Sequence, residues 1–149
     1  MSTGIGTVQD LLTYIGDRAW PTVQETTSIE DAVDALSEST YSHIVYVLDE
    51  SKILQGVITK ESLVKHLFIH YHDEMLDTRA LISQALSEQA SDLMKNERLK
   101  ASVNDDLDYI LEEMITCKVD EVPVIDVEGR LLGDITMKDI IRYHRFLKR

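Results

Sequence analysis

Two rhythms of apolar and polar residues alternate along the chain, and the same succession occurs twice. In "TTSIEDAVDALSES" (26–39), Ile29, Ala32, Val33 and Leu36 recur at helical spacing, with Thr27 or Ser28 as the N-cap. "HIVYVLD" (43–49) and "ILQGVIT" (53–59) are rich in β-branched and aromatic residues and predict two strands. The polar turn "DESK" (49–52) joins them into a hairpin. A short extended piece, "PTVQ" (21–24), precedes the helix, since Pro21 disfavours helix in the residue before it. Thr59 caps a following helix from about Lys60 to about Asp77. The second copy repeats the order. "LKASV" (99–103) is its short strand, and "NDDLDYILEEMITC" (104–117) its helix, apolar at Leu107, Ile110, Leu111 and Met114, with Asn104 or Asp105 at the N-cap. "EVPVID" (121–126) and "RLLGDIT" (130–136) form a hairpin turning at Gly129. "MKDIIRYHRFLK" (137–148) closes the copy, and its basic end, Arg145, Lys148 and Arg149, suits the negative end of a helix dipole.

"GVITKES" (56–62) and "GDITMKD" (133–139) are the most alike strings and stand 77 positions apart. "VQDLL" (8–12) and "ASDLM" (90–94) also match, as a short lead-in helix before each copy. Between the copies, "TRALISQALSEQASDLM" (78–94) is apolar at Leu81, Ile82, Ala85, Leu86 and Leu93 and reads as helix. Two copies are too few for a solenoid. The expectation is an α+β fold of two β-α-β-β-α repeats packed with pseudo-twofold symmetry, neither able to bury its sheet alone. Residues 1–78 hold the first repeat with its lead-in helix, and 79–149 the inter-repeat helix and the second repeat.

At 149 residues with 44% hydrophobic content, the chain has the material for a core. No apolar run approaches the roughly 20 residues of a membrane helix, and the N-terminus lacks a secretory pattern. Cys117 is the single cysteine, so no intramolecular disulfide forms, which fits a reducing, cytoplasmic compartment. The net charge of −12 opposes nucleic acid and anionic membranes as partners. Residues 1–78 carry 4 basic and 13 acidic residues, against 11 and 14 in 79–149. An anionic ligand is therefore expected to draw its positive side chains from the second half.

The residues "DLM" (92–94), the helix 104–117, "VPVID" (122–126) and "EGRLLGDITMKDI" (128–140) resemble the second member of a tandem pair of cystathionine-β-synthase (CBS) domains. "IVYVLD" (44–49) and "GVITKESL" (56–63) resemble the first more loosely. The resemblance covers nearly the whole chain. It implies a regulatory module rather than an enzyme, often a homodimer, that binds AMP, ADP, ATP or S-adenosylmethionine in clefts between the repeats. No obligatory cofactor is implied, although magnesium accompanies some nucleotides. The regulated protein is unknown.

The residues offer a physical reason beside the resemblance. Gly133 permits close approach near a strand end. Thr136 stands where strand gives way to helix, where free N–H groups and a positive dipole end attract anions. The carboxylate of Asp139, three residues on, can accept two hydrogen bonds from a ribose diol. Thr–x–x–Asp is equally the spacing of a capping box, so a purely structural cap is the competing reading. Thr59 and Ser62 are the degenerate equivalents in the first copy, where an uncharged, shorter side chain weakens any clamp. Asp134 departs from the family, which is usually apolar there, and is expected to face solvent. For the base, the resemblance points to the strand starts: His43, Ile44, Val45 and Tyr46 in the first copy, and Asp120, Glu121, Val122 and Pro123 in the second, with Lys100 and Ala101 beside them. Core packing is the competing reading for Val45 and Val122. Lys138 and Arg142 are the foremost candidates for a phosphate.

His66, His70 and Glu74 fall at i, i+4 and i+8 of the helix in "KHLFIHYHDEMLD" (65–77), a stripe that can hold a transition metal, although a solvated polar face is the simpler reading. Cys117 has no obvious base nearby, and no phosphate loop, H-E-x-x-H or G-x-S-x-G string occurs. Three functions are carried forward: an adenine-nucleotide sensor, a structural homodimerisation module with a vestigial cleft, and a divalent-metal-responsive module.

Overall fold

Strands and helices lie close to where the apolar rhythm places them in the computed structural model, which describes residues 4–72 and 89–149. The chain divides into two units. Of the described residues, one comprises 4–20, 51–54 and 97–149, and the other 21–50, 55–72 and 89–96.

In the second of these, β1 (Thr22–Gln24) runs parallel to β2 (Ile44–Leu48), pairing Thr22 with Tyr46 and Gln24 with Leu48. Strand β3 (Leu54–Thr59) completes the order β1-β2-β3. Helix α2 (Ile29–Ser37) starts at Ser28, whose hydroxyl accepts from the Asp31 N–H at 3.1 Å. Of the two cap candidates, Ser28 is therefore the one used. The apolar face of α2 enters a core of Ile29, Ala32, Val45, Val47, Ile58, Leu63 and Ala90. Ala90 comes from the short helix α4 (Ala90–Leu93), tied down by hydrogen bonds from the Ala90 N–H to Thr27 O at 2.7 Å and the Ser91 N–H to Glu25 O at 3.0 Å. Helix α3 (Lys60–His72) follows β3 directly.

The other unit is built on the antiparallel hairpin β4 (Glu121–Ile125) and β5 (Leu131–Thr136), with helices α5 (Leu107–Cys117) and α6 (Met137–Leu147). Helix α1 (Val8–Ile15) belongs to this unit. Its Val8 N–H donates to Asp105 O at 2.9 Å, and the Leu107 N–H donates to Gly6 O at 2.9 Å. Val8 and Leu11 are wholly buried with Leu107, Ile110, Met114, Val122, Val124 and Ile135. Each such side chain contributes about 1.5–3 kcal/mol on burial. The lead-in helices thus stand apart from the copies they precede in sequence: α1 packs with the second copy and α4 with the first.

Two local expectations change. The strand at 99–103 shrinks to one bridge, in which the Ala101 N–H donates to Pro123 O and the Ile125 N–H to Ala101 O, both at 2.9 Å. The ladder stops there because the Asp105 carboxylate accepts from the Ser102 N–H at 2.8 Å and turns the chain. With Asp105 so engaged, neither it nor Asn104 caps α5. The N-cap is Asp106, and the helix begins at Leu107. The end of the expected helix beyond His72, and most of the inter-repeat helix, lie outside the described residues.

Candidate functional site

Both copies end their hairpin with the same construction. The Lys60 N–H donates to His43 O at 3.1 Å, and 77 positions later the Met137 N–H donates to Asp120 O at 3.0 Å. Each bond ties the first turn of the closing helix to the residue before the hairpin. His43 is exposed and Ile44 half-buried, and the Tyr46 and Val122 side chains are fully buried. Ala101 and Pro123 are buried too, with the Ala101 N–H donating to Pro123 O. Lys100 is half-exposed and pairs with Glu97 at 3.0 Å. Asp120, Lys138 and Arg142 are exposed.

The two Thr–x–x–x motifs differ in their chemistry. In the first copy the Ser62 N–H donates to the Thr59 hydroxyl at 3.2 Å, and that hydroxyl donates to Ser62 Oγ at 3.1 Å. In the second copy Thr136 and Asp139 form a full capping box: the Asp139 N–H donates to Thr136 Oγ1 at 3.0 Å, and the Thr136 N–H to Asp139 Oδ2 at 2.9 Å. The capping arrangement thus uses the same atoms that were expected to meet a ligand.

Asp139 has another partner. Arg18, in the segment between α1 and β1, places Nη1 2.8 Å from Asp139 Oδ1 and Nη2 2.8 Å from Asp139 Oδ2. Nη2 also reaches Asp134 Oδ1 at 3.3 Å and the Asp134 carbonyl at 3.2 Å. The expectation that Asp134 faces solvent is overturned, since its side chain is 3% exposed. A carboxylate survives there because the guanidinium compensates for lost water. Burial alone would raise the Asp139 carboxyl, but the hydrogen bond from Arg18, those from Thr136 and the Arg18 charge outweigh it and hold it below the usual carboxylate range. The Arg18 guanidinium is raised, chiefly by its hydrogen bond to Asp139, against the opposing effect of burial.

Sequence reasoning named Asp139 and Asp134 but missed Arg18. The available signal was that Arg18 is the only arginine among the first 78 residues, in a stretch dominated by acids. It also lines a cavity of about 730 Å³ with Leu12, Trp20, Val103, Leu132 and Asp134. Among the described residues the buried Trp20 indole N–H has no hydrogen-bond partner. Gly133 is approached by the Leu12 side chain, 3.2 Å from where a Cβ would stand. Backbone comes close at the first-copy glycine instead, where a Cβ on Gly56 would lie 2.9 Å from Lys95 O.

For the histidine stripe, His66 is half-buried on α3, while the His70 side chain and Glu74 lie outside the described residues. Among the described residues no cluster of three or more metal-ligating side chains occurs, and no helix is long and apolar enough to cross a membrane.

The chain is 27% identical over 126 residues to inosine-5'-monophosphate dehydrogenase of Aquifex aeolicus, a match spanning 84% of this chain and 22% of that enzyme. It is 26% identical over 133 residues to homoserine O-acetyltransferase of Methanohalobium evestigatum, spanning 87% of this chain and 24% of the other. The chain thus corresponds to about a quarter or less of either enzyme. Among solved structures, CBSX2 in complex with AMP superposes with a TM-score of 0.75 at 25% identity, over 97% of this chain and 99% of that one. The CBS domain pair of MJ0100, in complex with 5'-methylthioadenosine and S-adenosyl-L-methionine, shares the fold with a TM-score of 0.71 at 22% identity, over 97% and 99% of the two chains. The CBS domain model matches residues 8–69 and again 90–145, so the chain belongs to the CBS domain family and carries two copies of it.

Proposed function

We propose that the chain is a regulatory module that binds an adenosyl ligand, AMP, ADP, ATP or S-adenosylmethionine, and reports its presence to another protein. The observation that carries this reading is the end of β5, where Thr136 and Asp139 present a hydroxyl and a carboxylate at the start of α6. A ribose diol can donate to that carboxylate, while the helix N-terminus favours an adjacent phosphate. The likeness to CBSX2 in complex with AMP over 97% of the chain supports it. Lys138 and Arg142 are the phosphate contacts in this proposal, the backbone around Asp120, Val122, Pro123, Lys100 and Ala101 meets the base, and magnesium accompanies ATP. His43, Ile44, Tyr46, Thr59 and Ser62 form a weaker second site, since the Thr59 and Ser62 hydroxyls already bond each other.

The module is proposed to be non-catalytic. Its likeness to a segment of a dehydrogenase and to a segment of an acetyltransferase, two very different reactions, supports a regulatory rather than a catalytic part. Homodimerisation is proposed from exposed apolar residues on α5 and α6, among them Tyr109 (53%), Ile115 (61%) and Ile141 (66%). The lone Cys117 suits a cytoplasmic setting. The structural dimerisation module remains the second reading, favoured by the engagement of Asp139 with Arg18.

Calorimetric titration with AMP, ADP, ATP and S-adenosylmethionine, with and without magnesium, tests the proposal. Saturable binding lost in folded Asp139→Ala is the expected result. No binding by a folded dimer favours the structural module.

A further inference from the structure

We propose that Arg18 is an internal occupant of the ribose position at Asp139, and that a nucleoside enters this site by displacing it. The inference rests on the adenosyl-ligand reading above and concerns how that site is controlled.

A carboxylate offers about four acceptor positions. Three at Asp139 are filled, by Arg18 Nη1, Arg18 Nη2 and the Thr136 N–H. A ribose clamp needs two, one for each hydroxyl of the diol. The Thr136 bond belongs to the helix cap, so the diol must take at least one position from Arg18. The geometry favours direct replacement, because a guanidinium fork and a cis-diol both present two parallel donors to one carboxylate. The released guanidinium keeps a buried partner in Asp134, at 3.3 Å, and borders the cavity beside Trp20 and Leu132.

Arg18 belongs to neither apolar core. Helix α1 ends at Ile15, and Gly16 follows with φ of 73°, a conformation that an L side chain resists. Arg18 stands two residues beyond this bend and Trp20 four beyond. In this proposal the 16–20 segment follows Arg18 when it is displaced, so that occupancy at Asp139 becomes a change in the chain after α1. The single tryptophan lies within that segment and reports it.

The experiment titrates AMP, ATP and S-adenosylmethionine into the full chain and into Arg18→Lys and Arg18→Met, reading heat and Trp20 emission, with melting curves to establish folding. Arg18→Lys keeps the charge and lacks the fork, so it guards against loss of folding in Arg18→Met. The expected result is affinity for at least one ligand rising about tenfold or more in a folded variant. In the unaltered chain, Trp20 emission should shift and saturate with the heat. Equal or weaker affinity in the folded variants, with binding intact in the unaltered chain, overturns the displacement and leaves the sensor standing. Absence of binding in all three folded proteins overturns both.

Discussion

The carboxylate of Asp139 is gripped by both terminal nitrogens of Arg18 at 2.8 Å, across 121 positions of sequence. The side chains are 12% and 5% exposed, so this pair is not a solvated surface contact. Removing the Asp139 charge leaves the Arg18 guanidinium with Asp134 at the longer distance of 3.3 Å, in a poorly hydrated place. Asp139→Asn should lower stability at neutral pH by about 3 kcal/mol. A double-mutant cycle with Arg18→Met, read by denaturant unfolding, should show the two losses to be strongly non-additive. Additive losses would mean that the pair is not coupled.

Acid should expose the same interaction. The folded Asp139 carboxyl lies below its ordinary value of 3.8, so its contribution is fully present above that value and is lost as pH falls through the folded value. The midpoint of unfolding measured below pH 4 should therefore fall less steeply with acid in Asp139→Asn than in the unaltered protein. Identical acid limbs would remove Asp139 from the account.

The two motif glycines predict different sensitivities. A methyl group on Gly56 meets the Lys95 carbonyl at 2.9 Å, where the Val57 N–H also donates to that carbonyl at 2.8 Å. Backbone cannot give way cheaply, and Gly56→Ala should cost about 1–3 kcal/mol. At Gly133 the neighbour is the end of the Leu12 side chain, at 3.2 Å, which can shift. Gly133→Ala should cost distinctly less in thermal denaturation, and equal costs would contradict the geometry.

Helix α5 ends on Lys118 in the left-handed conformation, with φ of 56°. Glycine adopts that conformation without the Cβ penalty that lysine carries. Lys118→Gly should raise stability by about 0.5–1 kcal/mol, less than the full penalty because glycine also loosens the unfolded chain. A fall in melting temperature would count against this cap.

The core of the second copy depends on a residue near the start of the chain. Leu11 is wholly buried with Val122 and Ile135. Leu11→Ala should cost about 2–5 kcal/mol in chemical unfolding. A loss below 1 kcal/mol would show that α1 docks loosely.

Periodicity made most of the elements legible. Ile29, Ala32 and Leu36 are spaced as a helix, and the β-branched run 44–48 is spaced as a strand, because local preference and burial agree there. The duplicated Gly–x–Ile–Thr strings located both hairpin ends for the same reason. What escaped the sequence depended on distant partners. Asp134 is hydrophilic by type and buried by virtue of Arg18, a neighbour that no local spacing reveals. The missing strand at 99–103 turned on one competing bond from Asp105. Likewise, "VQDLL" and "ASDLM" announce two similar helices, but nothing in either string says which copy each packs with. That choice is made by backbone bonds such as Val8 N–H to Asp105 O and Ala90 N–H to Thr27 O.

The placement of α1 also bears on the order in which the protein is made. A ribosome releases residues 8–15 long before residues 122–135, yet the residues that bury Val8 and Leu11 include Val122, Val124 and Ile135. The helix is short, and a lone segment of eight residues has little stability of its own in water. It must stay unpaired until the strands of the second copy have been synthesised, and residues 97–149 alone do not carry that copy's complete core. A rearranged chain in which α1 is moved to stand directly ahead of residue 97 would turn this late, long-range closure into an early, local one.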